Sequence, residues 1–134
     1  MKNVFAHIEL STGNPAKAAK FYKSLFAWKL TDLPMGVGTY TMVDTGSEEC
    51  GGGIQEKMMP EAPTAWLSYV HVEDVKKTLA KAKKLGAKVV MPWTDIGEFG
   101  AIGIFTDPTG ATLGVWERAK PKAKAKKPAK KSRK

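Results

Sequence analysis

The sequence has one cysteine, Cys50, in 134 residues. A lone thiol closes no internal disulfide and offers a metal at most one thiolate, which excludes a disulfide scaffold and a cysteine-built zinc site. Long apolar runs are also missing. No stretch approaches the roughly 20 residues of a membrane-spanning helix, so no membrane partner is expected. The opening residues MKNVFAHIEL set His7 and Glu9 where a secretory leader needs unbroken apolar sequence, and a cytoplasmic location is the expectation. Acid is absent from the C-terminal segment. Residues 118–134, RAKPKAKAKKPAKKSRK, hold ten Lys or Arg and no Asp or Glu. The chain has 22 basic and 13 acidic residues, so residues 1–117 keep 12 basic groups against all 13 acids, and the body is near neutral beside a strongly cationic tail. That tail carries no aliphatic side chain larger than Ala and contains Pro121 and Pro128. It cannot bury enough surface to offset the entropy of ordering, and disorder is expected for it.

With hydrophobic residues at 43%, the body can build an ordinary apolar core. In VFAHIEL, Val4, Ala6, Ile8 and Leu10 alternate with Phe5, His7 and Glu9, the period of a strand with one apolar and one mixed face. Asn14 offers a helix cap and Pro15 suits the first helical position, and Ala18, Phe21, Tyr22, Leu25 and Phe26 follow at helical spacing. Strand-like runs at 28–30, 39–44 and 52–57 complete a βαβββ order. After a linker at 59–64 the order begins again. TAWLSYVHV reads as a strand, Asp74 caps a helix carrying Val75, Leu79, Ala82 and Leu85, and Gly86 sits where a helix end favours glycine. Strands at 88–91, 101–106 and 111–117 follow, the last two joined by the turn Asp107-Pro108-Thr109-Gly110. Leu25 maps to Leu85 and His7 to Leu67 at a spacing of 60, and GIQE at 53–56 maps to GVWE at 114–117 at 61. Repetition at a nearly constant offset predicts an α+β domain of two βαβββ modules, 1–58 and 65–117, followed by the tail 118–134.

The two modules, the segment FYKSLFAWKL after the first cap and the closing GIFTDPTGATLGVWE together resemble the vicinal oxygen chelate superfamily, which includes glyoxalase I, bleomycin-resistance proteins and extradiol dioxygenases. The likeness covers about residues 3–117. It implies a curved mixed sheet whose two halves face each other across a pseudo-two-fold axis around a cup, and it implies pairing into homodimers. Metal enzymes of the family place one ligand at the same point in the first and last strands of each module. Those positions fall on His7, Gly53, Leu67 and Gly114, of which His7 alone offers a donor. A divalent ion needs three or more such ligands. His71 stands four residues beyond Leu67, roughly 13 Å along a strand, and on the implied symmetry lies toward Asn3. Glu56 and Glu117 have the parity that points away from the cup. The expectation is therefore no cofactor, with a divalent metal as the minority alternative.

The same alternation lines the cup with Phe5, His7, Glu9, Leu67, Tyr69, Thr112 and Trp116, and the repeat adds Gln55. Such a surface suits a small organic ligand. His7 and Glu9 form a candidate catalytic acid–base pair, with the carboxylate expected to raise the imidazole pKa. The plainer reading makes His7 a hydrogen-bonded residue of the cup and Glu9 a solvated carboxylate at its mouth. Tyr69 and Trp116 read as packing residues before ligand platforms. The glycine run 51–53 opens a strand and precedes no helix, so it favours close packing over phosphate binding. Cys50, beside Glu48 and Glu49, is expected to have a raised pKa and not to act as a nucleophile.

Three functions follow from the likeness and the tail: binding of a small molecule without the family metal set, as a lyase, an isomerase or a sequestering protein; a metal-dependent lyase of the glyoxalase type; and association with nucleic acid through the tail. In the last reading Lys120, Lys122, Lys124, Lys126, Lys127, Lys130, Lys131, Arg133 and Lys134 neutralise phosphates without reading bases. Its rival is a tail that only keeps the body soluble.

Overall fold

The computed structural model describes residues 2–34 and 39–120. The expectations for the tail from Pro121 to Lys134 lie outside the described residues.

Strand β1 (Phe5–Thr12) leads into helix α1 (Pro15–Leu25), then β2 (Lys29–Pro34), β3 (Thr39–Asp44) and β4 (Gly51–Glu56). The second module repeats this as β5 (Ala65–His71), α2 (Val75–Lys84), β6 (Lys88–Asp95), β7 (Ala101–Thr106) and β8 (Thr112–Glu117). A single turn of 3-10 helix at Gly97–Phe99 precedes β7 and has no counterpart in the sequence reading. All eight strands form one mixed sheet in the order β2-β3-β4-β1-β5-β8-β7-β6. The order is symmetric about its middle. There β1 and β5 run antiparallel, with His7 opposite Tyr69 and Glu9 opposite Leu67, while β1 pairs with β4 and β5 with β8 in parallel.

Both helices start as their caps dictate. The Asn14 side chain accepts from Lys17 N–H at 3.1 Å and Pro15 follows it, and the Asp74 side chain accepts from Lys77 N–H at 3.0 Å. Glu117 adds a second anchor, its Oε1 accepting from Val75 N–H at 2.8 Å. Its parity away from the His7 face thus has a use, because it ties the end of β8 to the first turn of α2. Replacing Asp74 with Ala is expected to cost about 1 kcal/mol of stability, read by urea unfolding. An unchanged midpoint would mean that Glu117 alone holds this helix start.

Each helix covers one module on the same face of the sheet. Leu10, Val43 and Ile54 form a core with Ala18, Ala19 and Tyr22 of α1 packed on it, and Val72, Val75, Leu79 and Val115 form another under α2. Two helix expectations fail in part. No residue of α1 is fully buried, and Phe21 and Leu25 are exposed, since the small Ala18 and Ala19 bring the helix to the sheet on a neighbouring stripe. Tyr22 joins the exposed Phe26 to Trp28 and Trp66, with ring centroids 4.8 Å apart for Phe26 and Trp28 and 5.4 Å for Tyr22 and Trp66. Leu85 is 70% exposed because it forms the C-cap beyond the last turn. Strands β2 and β6 outrun their predicted ends. They are the sheet's edges, and β6 passes through Pro92 with two register shifts, which an edge tolerates because no ladder donor is needed there. Among the described residues no helix is long and apolar enough to cross a membrane.

Candidate functional site

The face of the sheet opposite the helices carries the functional candidates. His7 and Glu9 project there from β1, because their neighbours Leu10 and Thr12 are committed to the buried helix side. Tyr69 projects from β5 opposite His7, and its ring meets the imidazole edge-on at 6.1 Å. A fourth residue, Tyr40 on β3, completes the cluster. Its hydroxyl lies 2.7 Å from His7 Nε2, and its ring stacks on the imidazole at 6.4 Å.

Glu9 is the least expected member. It is only 9% exposed, which corrects the picture of a solvated carboxylate at a cup mouth. Burial pushes its pKa up to about 7, with a hydrogen bond from the Tyr40 hydroxyl pulling part of the way back. His7 moves the other way, since burial lowers its pKa below the ordinary imidazole value. The expected rise of the imidazole pKa is thereby overturned: Glu9 Oε1 stands 3.7 Å from His7 Nε2, but the desolvation of both groups outweighs their attraction. At neutral pH the imidazole is neutral and the carboxyl is poised between its two forms. Tyr40 and Tyr69 have raised pKa values, from burial first and the nearby Glu9 charge second, and both remain proton donors.

Two glycines explain how this cluster fits. A Cβ on Gly53 would collide with the Tyr40 hydroxyl and ring, and a Cβ on Gly114 would collide with the Tyr69 ring. These are the second and fourth of the four positions where metal-binding relatives were expected to carry ligands. Tyrosine rings occupy the space that ligand side chains would need, and Leu67, at the third position, has no donor. Among the described residues no three His, Cys, Asp or Glu side chains converge as a metal site. The donor set therefore does not fit a family-type metal. The glycine run serves close packing, as expected, for a Cβ on Gly52 would also lie 3.1 Å from the Ile8 carbonyl.

The other candidates divide. Phe5 pairs with Val70 across a register shift between Phe5 and His7. The irregularity moves Phe5 to the Val70 face, 64% exposed, so it does not share a surface with His7. Leu67 faces Glu9 across the ladder. Gln55 pairs with Ser11, two residues along β1 from Glu9, and is half-buried. Thr112 is exposed beside the Thr106 hydroxyl at 3.4 Å. The Trp116 indole N–H donates to the Phe99 carbonyl at 2.7 Å, and its ring carries the Arg118 guanidinium at 5.4 Å, so it anchors the turn before β7. His71 lies where the symmetry implied: its carbonyl accepts from Asn3 Nδ2 at 2.9 Å and its ring packs on Trp116 at 5.7 Å. The Cys50 pKa is raised as expected, by burial and not by Glu48 and Glu49. Sequence reasoning missed Tyr40. The available signal was Gly53, a glycine on the functional face that pairs with Met42 of β3, which leaves room for a large side chain from that strand.

Known proteins share this architecture. The family model of the Glyoxalase/Bleomycin resistance protein/Dioxygenase superfamily matches residues 4–115. A Mycobacterium tuberculosis protein named "Putative glyoxylase CFP32" is 37% identical over 118 residues, covering 82% of this chain and 44% of that protein. The anthracycline biosynthesis protein DnrV of Streptomyces peucetius is 27% identical over 130 residues, covering 84% of this chain and 46% of that one. The chain thus spans less than half the length of these curated relatives. Among solved structures, methylmalonyl-CoA epimerase from Mycobacterium tuberculosis superposes with a TM-score of 0.66 at 12% identity, covering 90% of this chain and 91% of the epimerase. At that identity the likeness is one of fold.

Proposed function

Because the chain belongs to the Glyoxalase/Bleomycin resistance protein/Dioxygenase superfamily, we propose that it binds a small organic molecule on the helix-free face, at His7, Glu9, Tyr40 and Tyr69, without a divalent metal. One observation carries the reading: Glu9 is a buried carboxyl with a pKa of about 7, placed beside a neutral imidazole and two tyrosines. Burying an ionisable group without a cationic partner costs stability, and such groups concentrate at functional sites. The chemistry of the cluster suits a ligand with a carbonyl or hydroxyl group. The tyrosine hydroxyls donate to its oxygen, and Glu9 accepts or returns a proton near neutral pH. Sequestration needs only the first of these, whereas turnover as a lyase or isomerase needs both. A glyoxalase-type metal mechanism is disfavoured by Gly53, Leu67 and Gly114, which supply no ligand.

A thermal-shift screen of α-oxo acids, acyl thioesters and aromatic ketones would find a ligand class, and titration calorimetry would then place it. Glu9→Gln or His7→Ala is expected to weaken binding by about 1.5–3 kcal/mol, with the circular dichroism spectrum unchanged. Equal affinity for the wild type and both variants would remove this cluster from the binding site.

A further inference from the structure

The body is near neutral in sum, but the fold separates its charges. Helices α1 and α2 contain eight of the body's 12 lysines, three on α1 and five on α2, and neither contains an acid. Among the described residues no lysine or arginine forms an ion pair with a carboxylate, and the one basic side chain within ion-pair distance of a carboxylate is His7, 3.7 Å from Glu9. On α2, Lys77, Lys81 and Lys84 are exposed at spacings of four and three, a single stripe about 10 Å long. Each lies two residues after Val75, Leu79 or Ala82, the positions turned to the sheet. At about 100° per residue that offset directs the stripe straight away from the sheet.

Of the carboxylates near the helix, Glu73, one residue before the cap, is exposed, and the others are already engaged. Asp74 caps Lys77 N–H, Glu117 accepts from Val75 N–H, and Asp107 accepts from Thr109 and Ala111 in its turn. The Glu117 contact also fixes where the tail begins. The cationic segment leaves β8 beside the first turn of α2, with Arg118 held over Trp116.

We infer that the lysine stripe Lys77–Lys81–Lys84 of α2 is a docking face for the phosphodiester backbone of duplex DNA. The stripe is cationic and has no amide or aromatic group to read bases, so the binding is independent of sequence. A lipid surface fits less well. An interfacial helix presents Trp, Phe or Leu toward the membrane, whereas the apolar residues of α2 are turned to the sheet and Leu85 stands alone at its end. A protein partner fits less well too, because lysine is depleted in protein interfaces.

The test uses the full chain and a fluorescein-labelled random-sequence DNA duplex, with anisotropy titrations between 50 and 200 mM salt. Replacing Lys77, Lys81 and Lys84 together with Gln is expected to make the log–log salt slope shallower by about 2.7, at about 0.9 per lost phosphate contact. The wild type then loses about 40-fold more affinity than this variant over that salt range. The same three positions changed to Arg keep the slope, and Lys17, Lys20 and Lys23 of α1 changed to Gln leave it unchanged. Thermal melts confirm that each variant is folded. Absent duplex binding by the wild type, an unaltered slope in the α2 variant, an equal loss in the α1 variant, or tighter binding to phosphatidylglycerol vesicles than to DNA would each overturn the inference.

Discussion

At pH 8.5 the Glu9→Gln variant is expected to be more stable than the wild type by about 3 kcal/mol, and at pH 4.5 the two are expected to unfold alike. The carboxyl has a pKa of about 7 in the folded chain against 4.5 for the unperturbed group. A raised folded pKa means that the folded state holds a proton the unfolded state has released. The stability this contributes is complete below pH 4.5 and is lost as the pH rises toward and through 7. Above that range the wild type carries a charge that burial opposes, and glutamine does not. His7 contributes in the other direction. Its depressed pKa gives stability that is present above the ordinary imidazole pKa and lost as the pH falls. Both proteins contain His7, so its effect largely cancels in the comparison. Urea unfolding at the two pH values reads the difference. Should the glutamine variant be the less stable at both, Glu9 would be a structural hydrogen-bonding residue and not a carboxyl held at a cost for function.

The second large effect concerns Gly114. A methyl group there would enter the ring of Tyr69, which is only 3% exposed and has little room to retreat. Gly114→Ala is expected to destabilise the chain by about 2–3 kcal/mol through overpacking, and Tyr69→Ala by about 3–5 kcal/mol through the cavity it leaves. The double variant should cost less than the sum by about 1–2 kcal/mol, because removing the ring removes the collision. Strict additivity would mean that the ring does not set the need for glycine. At Gly53 the effect should be smaller, since the obstructing Tyr40 is less deeply buried and its hydroxyl end can swing aside.

Together these two sites give physical meaning to the missing ligands. In the first module the glycine is covered by a tyrosine from β3, and in the second by a tyrosine from β5. The replacements are not related by the internal symmetry, since β3 corresponds to β7 in the repeat and β5 to β1. Restoring a donor at Gly53 or Gly114 alone would therefore meet a ring and not an open coordination site.

Much of the fold was legible because local chemistry is explicit. Asn14-Pro15 and Asp74 mark helix starts, Gly86 and the Asp107–Gly110 turn mark ends, and the near-constant spacing of the repeat fixes two copies of one module. The placement of His71 toward Asn3 also followed from the implied symmetry. The site was legible only in part. Alternation put His7, Glu9 and Tyr69 on one face, but it carried Phe5 there too, because a β-bulge leaves no mark in a period-2 pattern. Burial was the larger gap. Nothing local distinguishes a carboxylate in water from one that is 9% exposed beneath tyrosines contributed by two other strands, and the direction of both pKa shifts depends on that difference. Tyr40 was hidden for the same reason, being near His7 in space and 33 positions away in the chain.

The most direct measurement is a carbon-13 NMR titration of the Glu9 side-chain carboxyl in the full chain, assigned by comparison with Glu9→Gln. A midpoint near pH 7, shifted by the ligand that the screen identifies and unmoved by added zinc, is the predicted result. A midpoint near the ordinary value of 4.5, or one that zinc displaces at stoichiometric concentration, would contradict a metal-free site built around a buried, titrating carboxyl.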